Sequence, residues 1–243
     1  MLKRAILAIC VAILMATSAA DADILYTGAD DGAAPGSTLT NSDAAAALFD
    51  ADAGSIGTLQ LIDFESLSTG YFTNLVIAPG VTATMSGVEN TFGCGITTYQ
   101  STVLGYNTTS GGDQSLRVVP IFDVGTATLA FTFDVPIQAW GAYITGLEDN
   151  VLGDLFVVYD DGTVVEHEVT GTTVGGAQFF GFTDAGMSIS TVTLELRDVS
   201  DSTRDLFAID DMRYTPIPEP ATMLMLGGLG VGLAGAGKLR RKK

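Results

Sequence analysis

The residues best suited to chemistry in this sequence are four acidic side chains in two short, distant segments. In Ile62-Asp63-Phe64-Glu65, carboxylates alternate with apolar residues, so a strand would place both acids on one face. In Phe207-Ala208-Ile209-Asp210-Asp211-Met212, two adjacent acids interrupt an apolar alternation. Ca²⁺ binds six to eight carboxylate, carbonyl and water oxygens. The predicted cofactor is therefore a structural Ca²⁺ held by Asp63, Glu65, Asp210 and Asp211.

The second segment contains a change of parity that supports this prediction. Phe207 and Ile209 place the apolar face on odd positions, whereas Met212 and Tyr214 place it on even positions. The strand must slip by one residue between them, which is typical of a β-bulge. If the first and last strands pair, the four carboxylates converge. The alternative is a solvated acidic strand edge that deters aggregation.

Nucleophilic catalysis and zinc binding are disfavoured by the scarcity of histidine and cysteine. His167 is the only histidine, so a zinc site with several histidines is excluded. A Ser or Cys triad would need His167 as its base, and no neighbour in the sequence orients it. Strand alternation puts His167 opposite Glu166 and Glu168, and we expect it to be an exposed strand residue. Cys94 is the only cysteine after residue 22, so we expect a buried thiol and no intramolecular disulfide.

Two classes of function remain open. A glycoside hydrolase needs two carboxylates about 5 to 9.5 Å apart, and the acids of this chain could always supply such a pair, but no catalytic signature is present. We therefore predict no catalytic residue and favour a non-catalytic structural or carbohydrate-binding protein; the alternative is a polysaccharide-active hydrolase or lyase that uses paired carboxylates. Candidate sugar-binding aromatics, with Trp140 expected in the core, are Tyr99, Tyr106, Trp140, Tyr143, Phe179 and Phe180.

The charge of the central region excludes some partners. Residues 21 to 217 contain 27 Asp and Glu, 4 Arg and no Lys, a formal charge of −23. Such a domain repels nucleic acid and anionic lipid head groups. Divalent cations are the partners that this charge favours.

The elements expected to position these residues are mostly strands. An Ala-rich helix is predicted over Asp43 to Asp52, after a Gly-rich loop at Gly28 to Gly36. About nine strands and this one helix predict a mainly-β fold, a single β-sandwich of jelly-roll type over residues 23–217. The predicted strands are Leu59–Phe64, Val81–Ser86, Ser115–Ile121, Leu129–Val135, Ile137–Thr145, Asp154–Tyr159, Thr163–Val169, Gln178–Phe182, Val192–Arg197 and Leu206–Tyr214.

The first 22 residues have the pattern of a secretion signal. Lys3 and Arg4 precede an unbroken apolar stretch from Ala5 to Ala16, too short to span a bilayer. Small residues allow signal peptidase to cut after Ala20 or Ala22, and both sites stay open. We expect an exported protein.

The last 26 residues have three parts in a fixed order. Pro218-Glu219-Pro220 precedes 17 uncharged residues, 221–237, and then a basic tail that contains Lys238, Arg240, Arg241, Lys242 and Lys243. A helix of this length rises about 26 Å, enough to span a bilayer marginally. The basic tail places the C-terminus in the cytoplasm and the rest outside. A plain membrane anchor is the alternative reading.

This order of motif, apolar helix and basic tail over 218–243 resembles the PEP-CTERM sorting signal of Gram-negative bacteria. The resemblance implies that exosortase, a membrane-embedded protease, recognises Pro218-Glu219-Pro220. It further implies an inner-membrane intermediate, a final place on the outer surface or in the extracellular matrix, and a link to exopolysaccharide or biofilm. The Ile62–Glu65 and Phe207–Met212 segments also resemble the first and last strands of lectin-like and carbohydrate-binding jelly rolls.

Overall fold

The computed structural model describes residues 23–91, 93–151, 153–199 and 204–217. The predicted signal peptide (1–22), the motif Pro218-Glu219-Pro220, the apolar segment 221–237 and the basic tail 238–243 lie outside these residues. Within the described ranges, no helix combines the length and the apolar character needed to cross a membrane.

Twelve strands and one helix, α1 (Thr40–Ile56), are formed by the described residues. The strands pair antiparallel throughout. Their bounds are β1 Ile24–Asp31, β2 Gln60–Ile62, β3 Asn74–Ala78, β4 Val81–Ser86, β5 Gly95–Thr97, β6 Ser115–Val118, β7 Gly125–Thr145, β8 Asp154–Asp160, β9 Val164–Val169, β10 Gly176–Thr183, β11 Ile189–Val199 and β12 Phe207–Pro216.

Strand β7 is the longest element and connects the two layers of a β-sandwich. Its first half pairs with β4 and β11, and its second half with β10 and β12. One layer has the order β3-β4-β7-β11-β8-β9, and the other contains β1-β10-β7-β12 with β2, β5 and β6 attached to the β12 side. The predicted strands Leu129–Val135 and Ile137–Thr145 are therefore one continuous strand. The predicted mainly-β sandwich with one helix is confirmed.

The main core lies between the layers because alternate residues of each strand point inward. Trp140 is fully buried there, with its ring centroid 6.2 Å from those of both Phe131 and Phe182. The core position predicted for Trp140 is confirmed.

Helix α1 covers the outer face of the second layer and is longer than predicted. Phe49 is fully buried, with its ring centroid 5.6 Å from that of Tyr26 and 5.5 Å from that of Phe179. The helix continues past Gly54 to Ile56 and ends at Gly57. Packing against the sheet outweighs the helix-weakening effect of Gly54.

Three strands, β1, β3 and β5, were missing from the prediction, and the predicted loop at Gly28 to Gly36 was wrong in its first part. Residues 28–31 belong to β1, which pairs with β10 along its whole length. The Asp30 carboxylate accepts hydrogen bonds from the backbone N–H groups of Asn41 and Ser42 at the start of α1. Tertiary pairing overrides the turn-forming composition of this segment.

Candidate functional site

The predicted bulge is present in β12. Asp210 pairs with Tyr143 and Arg213 with Gly141, so three steps on β12 oppose two steps on β7. Asp211 takes a positive φ of 46° at this point. Met212 also pairs with Ile62, so β2, which the sequence analysis took as the first strand, lies beside the last strand. The strand at the start of the domain is β1, which pairs with β10.

Both aspartates of the bulge hold the loop at Thr108–Thr109. Oδ2 of Asp210 accepts hydrogen bonds from the backbone N–H groups of Thr108 (2.6 Å) and Thr109 (3.0 Å). Oδ1 of Asp211 accepts one from Oγ1 of Thr109 at 2.8 Å. Burial, followed by the adjacent Asp211 carboxylate, raises the pKa of Asp210 to about 7. Its Oδ1 is buried and has no hydrogen-bond partner among the described residues.

Glu65 holds the same loop from the other side. Its Oε1 accepts hydrogen bonds from Nδ2 of Asn107 (2.6 Å) and from the backbone N–H groups of Asp113 (3.0 Å) and Gln114 (2.9 Å). Phe64 has a positive φ of 61°, which turns the chain after β2 and directs Glu65 to this loop. No local pattern around Asn107-Thr108-Thr109 indicates this anchoring role, so the sequence analysis missed it.

The four predicted calcium ligands thus lie around one bulge but do not form a metal cluster. Burial raises the pKa of Asp211, and the negative charges of Asp63 and Glu65 raise it further. These three acids therefore lie near one another. Within the described ranges, however, no three Asp, Glu, His or Cys side chains are arranged to hold a metal ion. Instead, N–H groups of the loop donate hydrogen bonds to the carboxylates of Asp210 and Glu65. Calcium binding stays a prediction, with the unpartnered Oδ1 of Asp210 as its main support.

His167 is partly buried and has partners, which corrects the expectation of an exposed histidine. Its Nε2 lies 2.8 Å from Oδ2 of Asp23 and 3.1 Å from the Tyr159 hydroxyl, which also donates to Asp23. The predicted alternation holds, because Glu166 and Glu168 are exposed on the opposite face. The interaction links the start of β1 to β9, and it was hidden in the sequence because 144 residues separate the partners.

Most of the aromatic residues proposed as sugar contacts are core residues. Tyr106, Tyr143, Phe179 and Phe180 are at most 5% exposed. Tyr99 is 49% exposed and alone among the named candidates presents its ring to solvent.

An open groove of about 450 Å³ is lined in part by Thr98, the residue before Tyr99. We call it the tyrosine groove, and its exposed aromatic side chain is Tyr71. Buried Cys94 and Ile96 contribute to its base. Burial raises the pKa of the Cys94 thiol, which therefore stays neutral at pH 7. The polar side chains that line the groove are Thr69, Asn90, Thr91, Thr97 and Thr98.

The backbone around Gly95 positions Tyr71. Gly70 and Ile96 exchange two backbone hydrogen bonds, at 2.8 and 3.1 Å, and so join the Tyr71 segment to β5. Gly95 has a φ of +99°, and a Cβ on it would lie 2.2 Å from the Gly70 carbonyl oxygen. Only glycine permits this close approach.

The Tyr99 ring is fixed from behind by a buried arginine. The guanidinium carbon of Arg117 lies 4.2 Å from the ring centroid, and Nη2 donates to the Tyr99 carbonyl oxygen at 2.8 Å. The Tyr99 N–H donates to Oγ1 of Thr97 at 3.1 Å. Burial lowers the pKa of Arg117 to about 10, so it remains a cation at pH 7. One face of the ring is supported while the side chain stays half exposed.

The carboxyls with the highest pKa values are too buried for catalysis on a polymer. Burial raises the pKa of Asp205 to about 8, but Asp205 is only 2% exposed and accepts hydrogen bonds from the backbone N–H groups of Glu148 and Leu206. Asp210 is fully buried. Glu148 is partly exposed, and burial followed by the Asp149 charge raises its pKa. Glu148 is therefore the residue to test for general-acid chemistry.

Comparison with solved structures finds similar chains at low identity. A family 29 carbohydrate-binding module is 8% identical with a TM-score of 0.36, covering 65% of this chain and 92% of that one. The K2 cleaved adhesin domain of Lys-gingipain is 16% identical with a TM-score of 0.41, covering 65% and 98%. The catalytic unit of a GH87 alpha-1,3-glucanase from Streptomyces thermodiastaticus is 16% identical with a TM-score of 0.29, covering 67% and 27%. A search of curated proteins finds no match.

At the C-terminus, residues 216–242 match the PEP-CTERM protein-sorting motif. The match includes Pro218-Glu219-Pro220, the uncharged segment 221–237 and nearly all of the basic tail, in the order that the sequence analysis described. Proteins with this motif are processed by exosortase. The chain therefore carries a PEP-CTERM sorting motif, which identifies it as an exported protein sorted to the cell surface.

Proposed function

We propose that this protein binds carbohydrate through the tyrosine groove, as a non-catalytic component of the outer surface or extracellular polysaccharide matrix of a Gram-negative bacterium. The sorting motif directs the protein to the cell surface, and there the groove is its binding site for carbohydrate. Exosortase and signal peptidase act on the chain during export, and the polysaccharide is its partner afterwards.

The observation that carries the proposal is the combination of groups in the groove. Tyr71 offers an apolar ring face, suited to the C–H face of a sugar, and a polar hydroxyl at its tip. The hydroxyls of Thr91 and Thr98 and the amide of Asn90 offer donors and acceptors for sugar hydroxyls. Tyr99, supported by Arg117, follows directly on Thr98 and extends the aromatic surface.

A non-catalytic role is favoured over hydrolysis because of where the acids lie. A glycosidase needs a general acid of raised pKa within reach of the scissile bond. Asp205 and Asp210 have raised pKa values but are buried. Glu148 has a raised pKa and is partly exposed, but it does not line the tyrosine groove, whose described lining contains no carboxylate. Binding needs no such group.

The test is polysaccharide binding by the exported protein, purified from the surface of the producing cells. Affinity electrophoresis through gels that contain single polysaccharides should show retardation by at least one polymer. Y71A should weaken this binding about tenfold, a loss typical of an aromatic residue at the centre of an interface. Y71F, which keeps the ring, should retain most of it.

The matched control is V164A, which shortens an exposed side chain on β9, away from the groove. Equal binding by the wild type and Y71A would refute the proposed site. A reducing-end or unsaturated-product assay on the same samples separates binding from catalysis. Release of product that E148Q abolishes would replace this proposal with the hydrolase or lyase alternative.

A further inference from the structure

The tyrosine groove lacks charge within a strongly acidic domain. Residues 21–217 carry a formal charge of −23, yet the described residues that line the groove include no Asp, Glu, Lys, Arg or His. Other clefts in the described part of the chain do contain acids. Glu168 lines one between β1 and β9, Asp113 lines one beside Leu39, and Glu148 and Asp154 line a third.

Two charged side chains, Arg117 and Glu89, lie next to groove residues, and both have partners of their own. Arg117 is 1% exposed, lies behind the Tyr99 ring and donates to the carbonyl oxygens of Tyr99 and Gly105. Glu89 precedes the groove residue Asn90 and forms a salt bridge with Arg204. Neither cation is presented to a ligand in the groove.

Two electrostatic effects act on a charged polymer that enters this groove. The surrounding field of the acidic domain repels polyanions over a distance of about 10 Å at moderate salt. The groove then offers hydroxyls, an amide and aromatic rings, but no exposed cation to compensate a carboxylate or sulfate that loses water there. An uncharged sugar chain experiences neither the repulsion nor the cost of removing water from an anionic group.

We infer that the tyrosine groove selects neutral polysaccharide segments and rejects uronate-rich or sulfated ones. This inference rests on the proposed carbohydrate binding and names its substrate class. The protein would then attach to uncharged stretches of a surface polymer even where the matrix as a whole is anionic.

The experiment compares neutral polysaccharides with carboxymethyl derivatives of the same backbones, using the purified exported protein. The neutral polymer should bind at least tenfold more tightly at low salt, with an affinity that changes less than about twofold as salt increases. Binding of the carboxymethyl polymer should improve with salt, because screening weakens the repulsion. Y71A should lose binding to the neutral polymer.

A gain-of-function variant provides a second test of the inferred selectivity for neutral polymers. T98K places a cation in the groove and should raise affinity for the carboxymethyl polymer several-fold, while T98Q, of similar length but neutral, should not. Equal or tighter wild-type binding to the carboxymethyl polymer at low salt, lost in Y71A, would overturn the inference and leave the proposed function intact. Failure of every polymer to bind, or identical binding by wild type and Y71A, would overturn the proposed function itself.

Discussion

Among single residues, Asp205 has the clearest consequence for stability. It is 2% exposed, and burial, with a smaller effect from the Glu148 charge, raises its pKa to about 8. An aspartate in the unfolded chain has a pKa of about 3.9. At a pH between these two pKa values, the folded state binds a proton that the unfolded state does not. The folded state is therefore more stable at the acidic end of this pH range.

We predict that the free energy of unfolding falls as pH rises from about 4 to about 8, by an amount on the order of a few kcal/mol. D205N should flatten this slope, because asparagine does not titrate. D205N should also lower the overall stability, since one of the two backbone N–H groups loses a carboxylate oxygen.

Urea unfolding of the purified protein at a series of pH values measures this slope. D134N, which changes an exposed aspartate on β7, is the control and should leave the slope unchanged. A D205N slope identical to that of the wild type would exclude Asp205 as its source.

Asp210 is the basis of a second prediction, that calcium stabilises the fold. Its Oδ1 is buried without a hydrogen-bond partner among the described residues, and a bound cation would compensate its charge. Calcium at 100 times its dissociation constant should add about 2.7 kcal/mol to the free energy of unfolding. D210N and E65Q should both lose this gain. The same thermal midpoint in excess calcium and in chelator would eliminate the site.

At the level of elements, the sandwich depends on α1 as a cover for its second layer. The inner face of the helix presents Phe49 to Tyr26 and Phe179, and the Tyr143 hydroxyl donates to Oδ1 of Asp43 at 2.7 Å in its first turn. Without the helix, this face of β1 and β10 would be exposed to water.

We predict that F49A lowers the free energy of unfolding by about 3 to 5 kcal/mol, the cost of a cavity left by a buried aromatic ring. L48A changes the neighbouring residue, which is 64% exposed, and should alter stability by about 0.5 kcal/mol or less. Chemical denaturation of the two variants in parallel gives the comparison. Similar losses for both would mean that α1 does not pack as described.

For the whole molecule, the C-terminal sorting motif directs the protein to the cell surface. The PEP-CTERM match at 216–242 begins at the last residue of β12, and Pro218-Glu219-Pro220 lies beyond the strand, so cleavage after this motif would release the sandwich without cutting a strand. Among the described residues, Cys94 is a buried free cysteine.

We predict that the surface-released protein lacks the basic tail in cells with working exosortase and keeps it in cells without the enzyme. Mass spectrometry of the C-terminal peptide distinguishes the two forms. Recovery of residues 238–243 on released protein from the exosortase-positive cells would contradict this prediction.

Local patterns in the sequence were sufficient for the mainly-β class, the sorting motif and the bulge at Asp210–Asp211. Each depends on residues close in the chain: alternating apolar side chains, the order of a terminal segment, or a change of parity within one strand. The proximity of the Ile62 segment to the last strand was implied by the resemblance to carbohydrate-binding jelly rolls, and not by these patterns. Strands β1 and β5 were missed because their pairing with distant strands, and not their composition, makes them strands.

The tertiary structure alone decided the candidate site. Tyr71 and Asn90 meet in one groove because Gly70 pairs with Ile96 across 26 positions of the sequence, and no local pattern indicates that pairing. The same holds for Glu65, whose positive-φ neighbour Phe64 directs it to the loop at 107–114. Periodicity predicts which face a side chain occupies, but only the packing of distant segments determines which side chain it meets there.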